Sequence, residues 1–219
     1  MDTTEELFDL VARTRPVILD ILNKQGYETS PYDNQSPADI TKLATCGPNH
    51  LRMRLYAKDD NTFKKRAQVF YWIFEKVRLS LERRVQELWD TDQFEDNAAN
   101  EETDEAIVII NEPMHEAFHL MAIKQWQLNK RRIVFYYIKQ IISNPANHVL
   151  QPKFRKIPAS EEPELLANLR LKHKKNIPLI KYHVDIMTRV MGLAPDNIVE
   201  ITRPSPTTGD YVMYRICSI

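Results

Sequence analysis

A His-Glu-x-x-His motif is the part of this sequence that most resembles a catalytic site. The motif consists of His115, Glu116 and His119. On a helix, histidines four residues apart lie on the same side and can bind a zinc ion, while the glutamate acts as a general base. One hypothesis for this chain is therefore a zinc-dependent hydrolase.

A catalytic zinc ion needs a third protein ligand, and the sequence near the motif does not supply one. The extended form of the motif has Gly and His at positions that Ala122 and Gln125 occupy here. The next histidine is His148 and the next glutamate is Glu161, so a third ligand must come from a distant part of the chain. The alternative, which the sequence favours, is a surface helix that carries two histidines by chance.

The residues needed for other common chemistries are missing or poorly placed. The chain has four glycines, and no two are closer than 17 residues. Phosphate-binding loops need clustered glycines so that backbone N–H groups can approach the phosphates. No serine is flanked by glycines as in a nucleophile elbow, and we predict Cys46 in a loop and Cys217 as a small buried residue of a strand. Apart from the zinc hypothesis, we therefore expect no cofactor and no small-molecule substrate.

Composition and charge indicate a globular intracellular protein with a basic body. Of the 219 residues, 43% are apolar and 27% are charged, and no run approaches the ~20 apolar residues that cross a bilayer. The acidic N-terminus does not resemble a secretory signal. Residues 90–105 hold eight acids and no Lys or Arg, and we predict that they form a solvated loop. The rest of the chain carries a net charge of +8; basic groups at 64–66, 130–132 and 172–175 could contact phosphates, but are more typical of a solvated surface.

The order of predicted elements over residues 1–142 indicates an α/β domain with a central sheet. Thr3 and Glu6 form a capping box that begins a helix, and Pro16 should kink that helix or begin a second one. Gly26 should end this first element. The other predicted elements are a short helix after Ser36 and Pro37, strands over 51–56 and 67–74, a helix with Val77, Leu81, Val85 and Leu88 on one face, a strand over 106–110, a helix over 113–128 and a strand over 131–142.

Turn-forming residues over 143–147 mark a boundary, and residues 143–219 are predicted to form a second, smaller α+β domain. Its predicted elements are a short helix after 160–164, a helix over 185–191 that Gly192 ends, and strands over 197–203 and 211–216 joined by a turn. A domain of this size buries only a modest fraction of its surface, so we expect it to depend on a partner. The predicted fold class is α+β for the chain as a whole.

A long ordered motif lies near the end of the chain. Residues 199–215 contain Val-x-Ile-x-Arg-x-Ser-x-Thr-x-Gly-x-Tyr-x-x-Tyr-Arg. Matching residues upstream are His148, Pro152, Leu165, Leu166, Ile177, Pro178, Ile180, Asp185, Gly192 and Leu193. This set resembles the assembly domain of the jaw subunit that the eukaryotic nuclear RNA polymerases share and that has a counterpart in the archaeal enzyme. A weaker likeness over the first domain extends the resemblance to the whole chain.

The resemblance implies a structural role in transcription. The chain would be a non-catalytic subunit of a multisubunit DNA-directed RNA polymerase, without metal or membrane contact. Its second domain would dock on the largest polymerase subunit, and its first would form part of the jaw near downstream duplex DNA. Such contacts with DNA would be independent of sequence and sensitive to salt. The residues implied in partner binding are His148, Pro178, Ile180, Arg203, Ser205, Thr207, Gly209, Tyr211, Tyr214 and Arg215.

Several positions depart from the family pattern. Asp210 stands where the family usually has Arg, Pro206 where it has Glu, Ile186 where it has Pro, and Phe154 where it has a second His. The acidic segment 90–105 resembles an insertion. These differences predict a divergent member, from a large DNA virus or a divergent protist. Its location would be the nucleus if it is cellular, and the virion or host cytoplasm if it is viral.

Overall fold

The chain folds into two compact units, Met1–Asn144 and Pro145–Ile219, which we call unit 1 and unit 2. The computed structural model describes residues 4–58, 66–89, 104–205 and 209–219. Both units mix helices with a sheet, which confirms the predicted α+β class. Within those ranges, none of the helices has the length and apolar character needed to cross a membrane.

Unit 1 contains a four-stranded sheet with the order β1-β2-β3-β4. Its strands are β1 Met53–Tyr56, β2 Arg66–Trp72, β3 Asp104–Ile110 and β4 Ile133–Tyr137. Its helices are α1 Thr4–Lys24, α2 Ser30–Asp33, α3 Pro37–Cys46, α4 Leu81–Trp89 and α5 Glu116–Asn129. Strand β1 is antiparallel to β2, whereas β2, β3 and β4 are parallel. Helices α4 and α5 lie in the connections between the parallel strands, as such strands require.

Helix α1 is continuous through Pro16, so of the two predicted alternatives, a kink or a second helix, the second helix does not form. Arg15, which is buried, anchors this turn of the helix. Its Nε donates to Oε1 of Gln35 at 2.9 Å, and its Nη1 donates to the carbonyl oxygen of Leu51 at 2.8 Å. These contacts hold the turn in place although proline cannot donate a backbone hydrogen bond. Gly26 follows the helix with a φ of 95°, as a cap in the left-handed region requires.

Some predicted boundaries in unit 1 are wrong. Helix α5 begins at Glu116 rather than 113, because His115 has the extended backbone dihedrals of an N-cap residue. Just before it, the carboxylate of Glu112 accepts hydrogen bonds from the backbone N–H groups of Val77 and Arg78. Strand β4 ends at Tyr137, and Ile138–Ile141 form a 3₁₀ helix instead. Cys46 is the last residue of α3 rather than part of a loop.

Four features named in the sequence analysis lie wholly or partly outside the described residues. They are the capping residue Thr3, the basic group 64–66, the acidic segment 90–105 and the turn residues Pro206 and Thr207. The described end of the acidic segment, Asp104 and Glu105, belongs to β3 instead of a solvated loop. Glu105 is buried and forms an ion pair with Arg132, which is also buried. Arg132 was predicted on a solvated surface, so that prediction is wrong as well.

Unit 2 contains a second four-stranded sheet, with the order β5-β7-β8-β6. Its elements are β5 Lys153–Lys156, α6 Glu162–Asn168, β6 Leu179–Lys181, α7 Ile186–Val190, β7 Ile198–Ser205 and β8 Gly209–Ser218. The two short helices and the two long strands confirm the prediction. The sequence analysis missed β5 and β6, which are too short for a clear alternating pattern.

The two faces of the unit 2 sheet differ in what covers them. One face packs on a core of Ile157, Ile177, Ile198 and Ile216, with Leu165, Leu166, Leu171 and Tyr214 against it. The other face carries Ile201 and Met213, because residues alternate between faces along each strand. Cys217 is buried in β8, as predicted. This second face holds a groove.

Candidate partner-binding surface

A groove on one face of the unit 2 sheet is the main candidate for a partner-binding surface. Its floor is a row of three apolar residues that are neighbours across the strands. Phe154 of β5 is paired with Ile201 of β7, and Ile201 is paired with Met213 of β8. Ile180 of β6 also lines the groove, which has a volume of about 520 Å³. All four strands of the sheet therefore contribute to it.

Cationic side chains flank this apolar row. Arg203 lies two residues beyond Ile201 on β7, and Arg215 lies two residues beyond Met213 on β8. Because the two strands are antiparallel, the arginines lie on opposite sides of the row, each about 7 Å along its strand. Lys181 is a third cation of the lining. The groove is therefore apolar at its floor and basic at its edges.

The ends of β7 and β8 extend beyond the rest of the sheet as a two-stranded ribbon. Strand β5 pairs with β7 only as far as Thr202, whereas the pairing of β7 with β8 continues to Ser205 and Gly209. Tyr211 of the ribbon is 55% exposed. Gly209 has a φ of 75°, a conformation that favours glycine. The ribbon presents its side chains to solvent, where a partner could contact them.

A hydrogen-bonded row of charged and polar side chains lies on the opposite face of the sheet. Arg155 of β5 forms two hydrogen bonds of 3.2 Å to the carboxylate of Glu200 on β7. The hydroxyl of Tyr214 on β8 donates to the same carboxylate at 3.2 Å. The hydrogen bonds from Arg155 are the main cause that lowers the pKa of Glu200 below its ordinary value near 4.5. Partial burial, and then the hydrogen bond to Glu200, raises the pKa of Tyr214.

The lowered pKa of Glu200 predicts an acid-dependent loss of stability in unit 2. A group with a lowered folded-state pKa contributes stability above its ordinary pKa, and that contribution is lost as the pH falls through the lowered value. Glu200→Gln should therefore reduce the stability of unit 2 at neutral pH and weaken its decline below about pH 4.5. Urea unfolding followed by NMR signals of β7 and β8 measures this dependence. The exposed Glu164 of α6 supplies the control, and an equal effect of Glu164→Gln would contradict the explanation.

Unit 1 contains a cavity with arginine side chains stacked on aromatic rings, which we call the arginine cavity. It has a volume of about 370 Å³. The guanidinium of Arg52 lies 4.5 Å from the ring centre of Phe70, and that of Arg84 lies 5.8 Å from the ring centre of Trp72. Arg83 also lines the cavity, and its Nε is 3.6 Å from the carboxylate of Glu87. Such a surface can contact phosphates or carboxylates.

The part of the chain that matches a known protein family corresponds closely to unit 2. Residues 143–217 match the family described as RNA polymerase Rpb5, C-terminal domain. The DNA-directed RNA polymerase subunit Rpo5 of Thermococcus kodakarensis is 37% identical over 73 residues, which cover 33% of this chain and 87% of that subunit. The chain belongs to the Rpb5 family.

Other relatives extend the likeness beyond unit 2. Subunit rpabc1 of DNA-directed RNA polymerases I, II and III from Dictyostelium discoideum is 26% identical over 204 residues, 93% of this chain and 94% of that protein. Subunit RPABC1 of Caenorhabditis elegans is 36% identical over 77 residues, about a third of each protein. Membership of the Rpb5 family confirms the predicted class of protein, a non-catalytic polymerase subunit. An origin in a large DNA virus stays a prediction.

The zinc-hydrolase alternative receives no support from the Rpb5 family or from the geometry of the motif. His115 has extended backbone dihedrals, φ −109° and ψ 159°, and precedes α5 as its N-cap residue. The motif therefore does not place both histidines within one helix, as zinc binding in this pattern requires. Over the described ranges, no group of three or more His, Cys, Asp and Glu side chains could hold a metal ion.

The structure brings some of the predicted partner-binding residues together and separates others. Ile180, Arg203 and Arg215 line the groove, and Ser205, Gly209 and Tyr211 lie in the ribbon. Tyr214 lies on the opposite face. Pro178 and His148 lie apart from these: the carbonyl oxygen of Pro178 accepts from the backbone N–H of Ile216 at 2.9 Å, and His148 is exposed in a turn. Thr207 is outside the described residues.

Two sets of exposed or groove-lining residues in this Rpb5 family member were not predicted from the sequence. Val149 and Leu150 are 95% and 84% exposed, and the backbone N–H of Leu150 donates to Nδ1 of His148 at 3.2 Å. The second set is the groove floor, Phe154, Ile201 and Met213. Alternation along β7 and β8 was sufficient to place Ile201 and Met213 on the face of Arg203 and Arg215, but no pattern indicated that β5 adds Phe154.

Proposed function

We propose that this member of the Rpb5 family joins its RNA polymerase through unit 2, which docks on the largest polymerase subunit. Unit 1 forms part of the jaw near downstream DNA. The observation that carries the first part is the correspondence between the matched residues 143–217 and the compact unit Pro145–Ile219. A region that both matches the family and forms a compact unit is the natural candidate for the contact that family members share.

The archaeal relative supports unit 2 as the module for assembly. Its 73 matched residues make up 87% of that subunit, so the archaeal protein has room for little more than one unit of this size. That protein is named as a polymerase subunit. If a subunit of that size joins a polymerase, the contacts needed for assembly must fit within such a unit. Unit 1 then adds a function that is separate from assembly.

The ribbon and the exposed turn support contact with a large protein. An isolated two-stranded ribbon is only marginally stable in water, so packing against a partner would stabilise it. Tyr211 of the ribbon and Leu150 of the turn each expose a large apolar surface. Tyrosine and large apolar residues of this kind commonly anchor protein interfaces. Unit 2 therefore offers apolar contact area at more than one place.

The arginine cavity supports contact between unit 1 and DNA. Arg52, Arg83 and Arg84 line it, and Arg54 of β1 is two residues beyond Arg52 along the chain. Arginine contacts with phosphates do not depend on base sequence, as a jaw that holds passing duplex DNA requires. In this function the chain works inside the cell, in the nucleus if it is cellular.

Purification of the tagged full chain from its own cells tests the proposed function. We expect the two largest RNA polymerase subunits to co-purify with it in near-equal amounts, as determined by quantitative mass spectrometry. The untagged strain is the control for non-specific capture. Recovery of the chain without polymerase subunits would contradict the proposal, whatever other proteins were present.

Charge reversal at Arg83 tests the contact with DNA. The purified polymerase that carries Arg83→Glu should bind a downstream duplex more weakly. The plot of log affinity against log salt has a negative slope, and the magnitude of that slope should decrease by about 1. Lys42→Glu is the matched control, since Lys42 is an exposed residue of α3 that does not line the arginine cavity. Fluorescence anisotropy of a labelled duplex at several salt concentrations measures both quantities. Equal salt slopes for the wild-type polymerase and for the polymerases with Arg83→Glu and Lys42→Glu would exclude Arg83 from the contact with DNA.

A further inference from the structure

We infer that the groove of unit 2 binds a segment of another polymerase subunit that carries an aliphatic side chain flanked by carboxylates. The source of the segment rests on the proposed function. Its chemistry rests on the arrangement of the groove itself: an apolar floor, a cation on each side of that floor, and edge cations that form no ion pair among the described residues.

The floor of the groove selects for aliphatic groups. Phe154, Ile201 and Met213 form one row across β5, β7 and β8, and Ile180 extends the apolar lining to β6. The volume of about 520 Å³ lies within the range of pockets that bury a ligand. Single-stranded nucleic acid binds by stacking bases on aromatic rings, whereas Phe154 is the one aromatic residue in the described lining of this groove. A protein side chain is therefore the better occupant.

The edges of the groove select for negative charge. Arg203 and Arg215 lie on opposite sides of the apolar row, and Lys181 is a third cation. In the part of the chain that the structure describes, no ion pair joins any of the three to a carboxylate. The one acid of the lining, Asp185, caps α7 by accepting from the backbone N–H of Met187 at 2.8 Å. Carboxylates on both sides of a buried aliphatic group would complement this pattern.

A binding assay with a synthetic peptide tests the chemistry directly. The probe is a fluorescein-labelled peptide of alternating Glu and Leu, and the comparison peptides replace Glu by Lys or Leu by Ser. We expect the full chain to bind the first peptide, and Met213→Glu to weaken that binding about tenfold or more. Arg203→Glu changes an exposed residue without disturbing the core and should also weaken it. Lys153→Glu, on the opposite face of β5 from Phe154, should leave it unchanged.

Equal binding of the Lys peptide, or of single-stranded DNA, would overturn the inference. The inference would also be overturned if the chain bound the Glu-Leu peptide and none of the groove variants reduced that affinity.

Cross-linking in the assembled polymerase tests the occupant. A photoreactive phenylalanine analogue replaces Met213 in the tagged full chain, and replaces Lys172 in the control. We expect the Met213 position to cross-link to a subunit segment with an aliphatic residue beside acidic residues. If the polymerase contains the normal amount of this chain, a cross-link to a basic or uncharged segment, or to nucleic acid, would overturn the inference about the groove. It would leave the proposed function standing. Absence of the chain from polymerase overturns the proposed function instead, and the peptide assay still decides the groove.

Discussion

Ending the chain after Ala146 should abolish its incorporation into RNA polymerase. This truncation removes β5 to β8 and with them the groove and the ribbon, while it leaves the unit Met1–Asn144 intact. The contacts that hold a subunit in a complex come from a few well-packed residues, and the proposed ones all lie in unit 2. Quantitative mass spectrometry of polymerase purified through its largest subunit should show a loss of more than about tenfold.

The reciprocal fragment separates loss of assembly from loss of folding. Residues 145–219 alone should still join the polymerase, because 73 matched residues cover 87% of the archaeal subunit Rpo5. Circular dichroism of the fragment 1–146 checks that unit 1 remains folded. Normal incorporation of the fragment 1–146 would refute unit 2 as the assembly module. Failure of both fragments would show that the two units are needed together.

Replacing Arg132 by Met should destabilise unit 1 by about 3–5 kcal/mol. The side chains of Arg132 and Glu105 form an ion pair and are only 6% and 7% exposed. The pair lies where the parallel pairing of β3 with β4 begins. Glu105 belongs to β3, Arg132 directly precedes β4, and the backbone N–H of Ala106 donates to the carbonyl oxygen of Arg132 at 3.0 Å. Removing the guanidinium leaves the charged carboxylate of Glu105 in a site that water scarcely reaches. The loss of folding free energy is therefore larger than for an exposed ion pair.

Tryptophan fluorescence during urea unfolding measures this effect on unit 1 alone. The three tryptophans of the chain, Trp72, Trp89 and Trp126, all belong to unit 1. Arg13→Met is the matched control, because Arg13 is 63% exposed and pairs with Asp9 at 2.9 Å; it should change the stability by less than about 0.5 kcal/mol. The double variant Glu105→Leu with Arg132→Met should recover much of the lost stability. A loss below about 1 kcal/mol in Arg132→Met would contradict the assigned role of the pair.

The sequence determined the elements whose pattern is local. Strands β2 and β3 were predicted because long apolar runs are typical of parallel strands covered on both faces. Alternation predicted β7 and β8, and the ordered motif of 199–215 was by itself sufficient to indicate the Rpb5 family. Helix caps such as Gly26 and Gly192 were also predictable, since both adopt positive φ values that favour glycine.

The tertiary structure decided the features that depend on residues distant in sequence. Glu105 and Arg132 resemble surface charges until the pairing of β3 with β4 brings them together in the interior. His115 resembles a helical zinc ligand in the sequence, but in the structure its backbone is extended and it precedes α5 as the N-cap residue.

The groove is the clearest example of such a feature. Its floor joins Phe154, Ile201 and Met213, which are far apart along the chain and belong to three strands. The sequence specifies which residues alternate along a strand, but strand order and register decide which of them become neighbours. For this protein, local patterns and the motif therefore identified the family, whereas the pairing of the strands created the surface that we propose its partner binds.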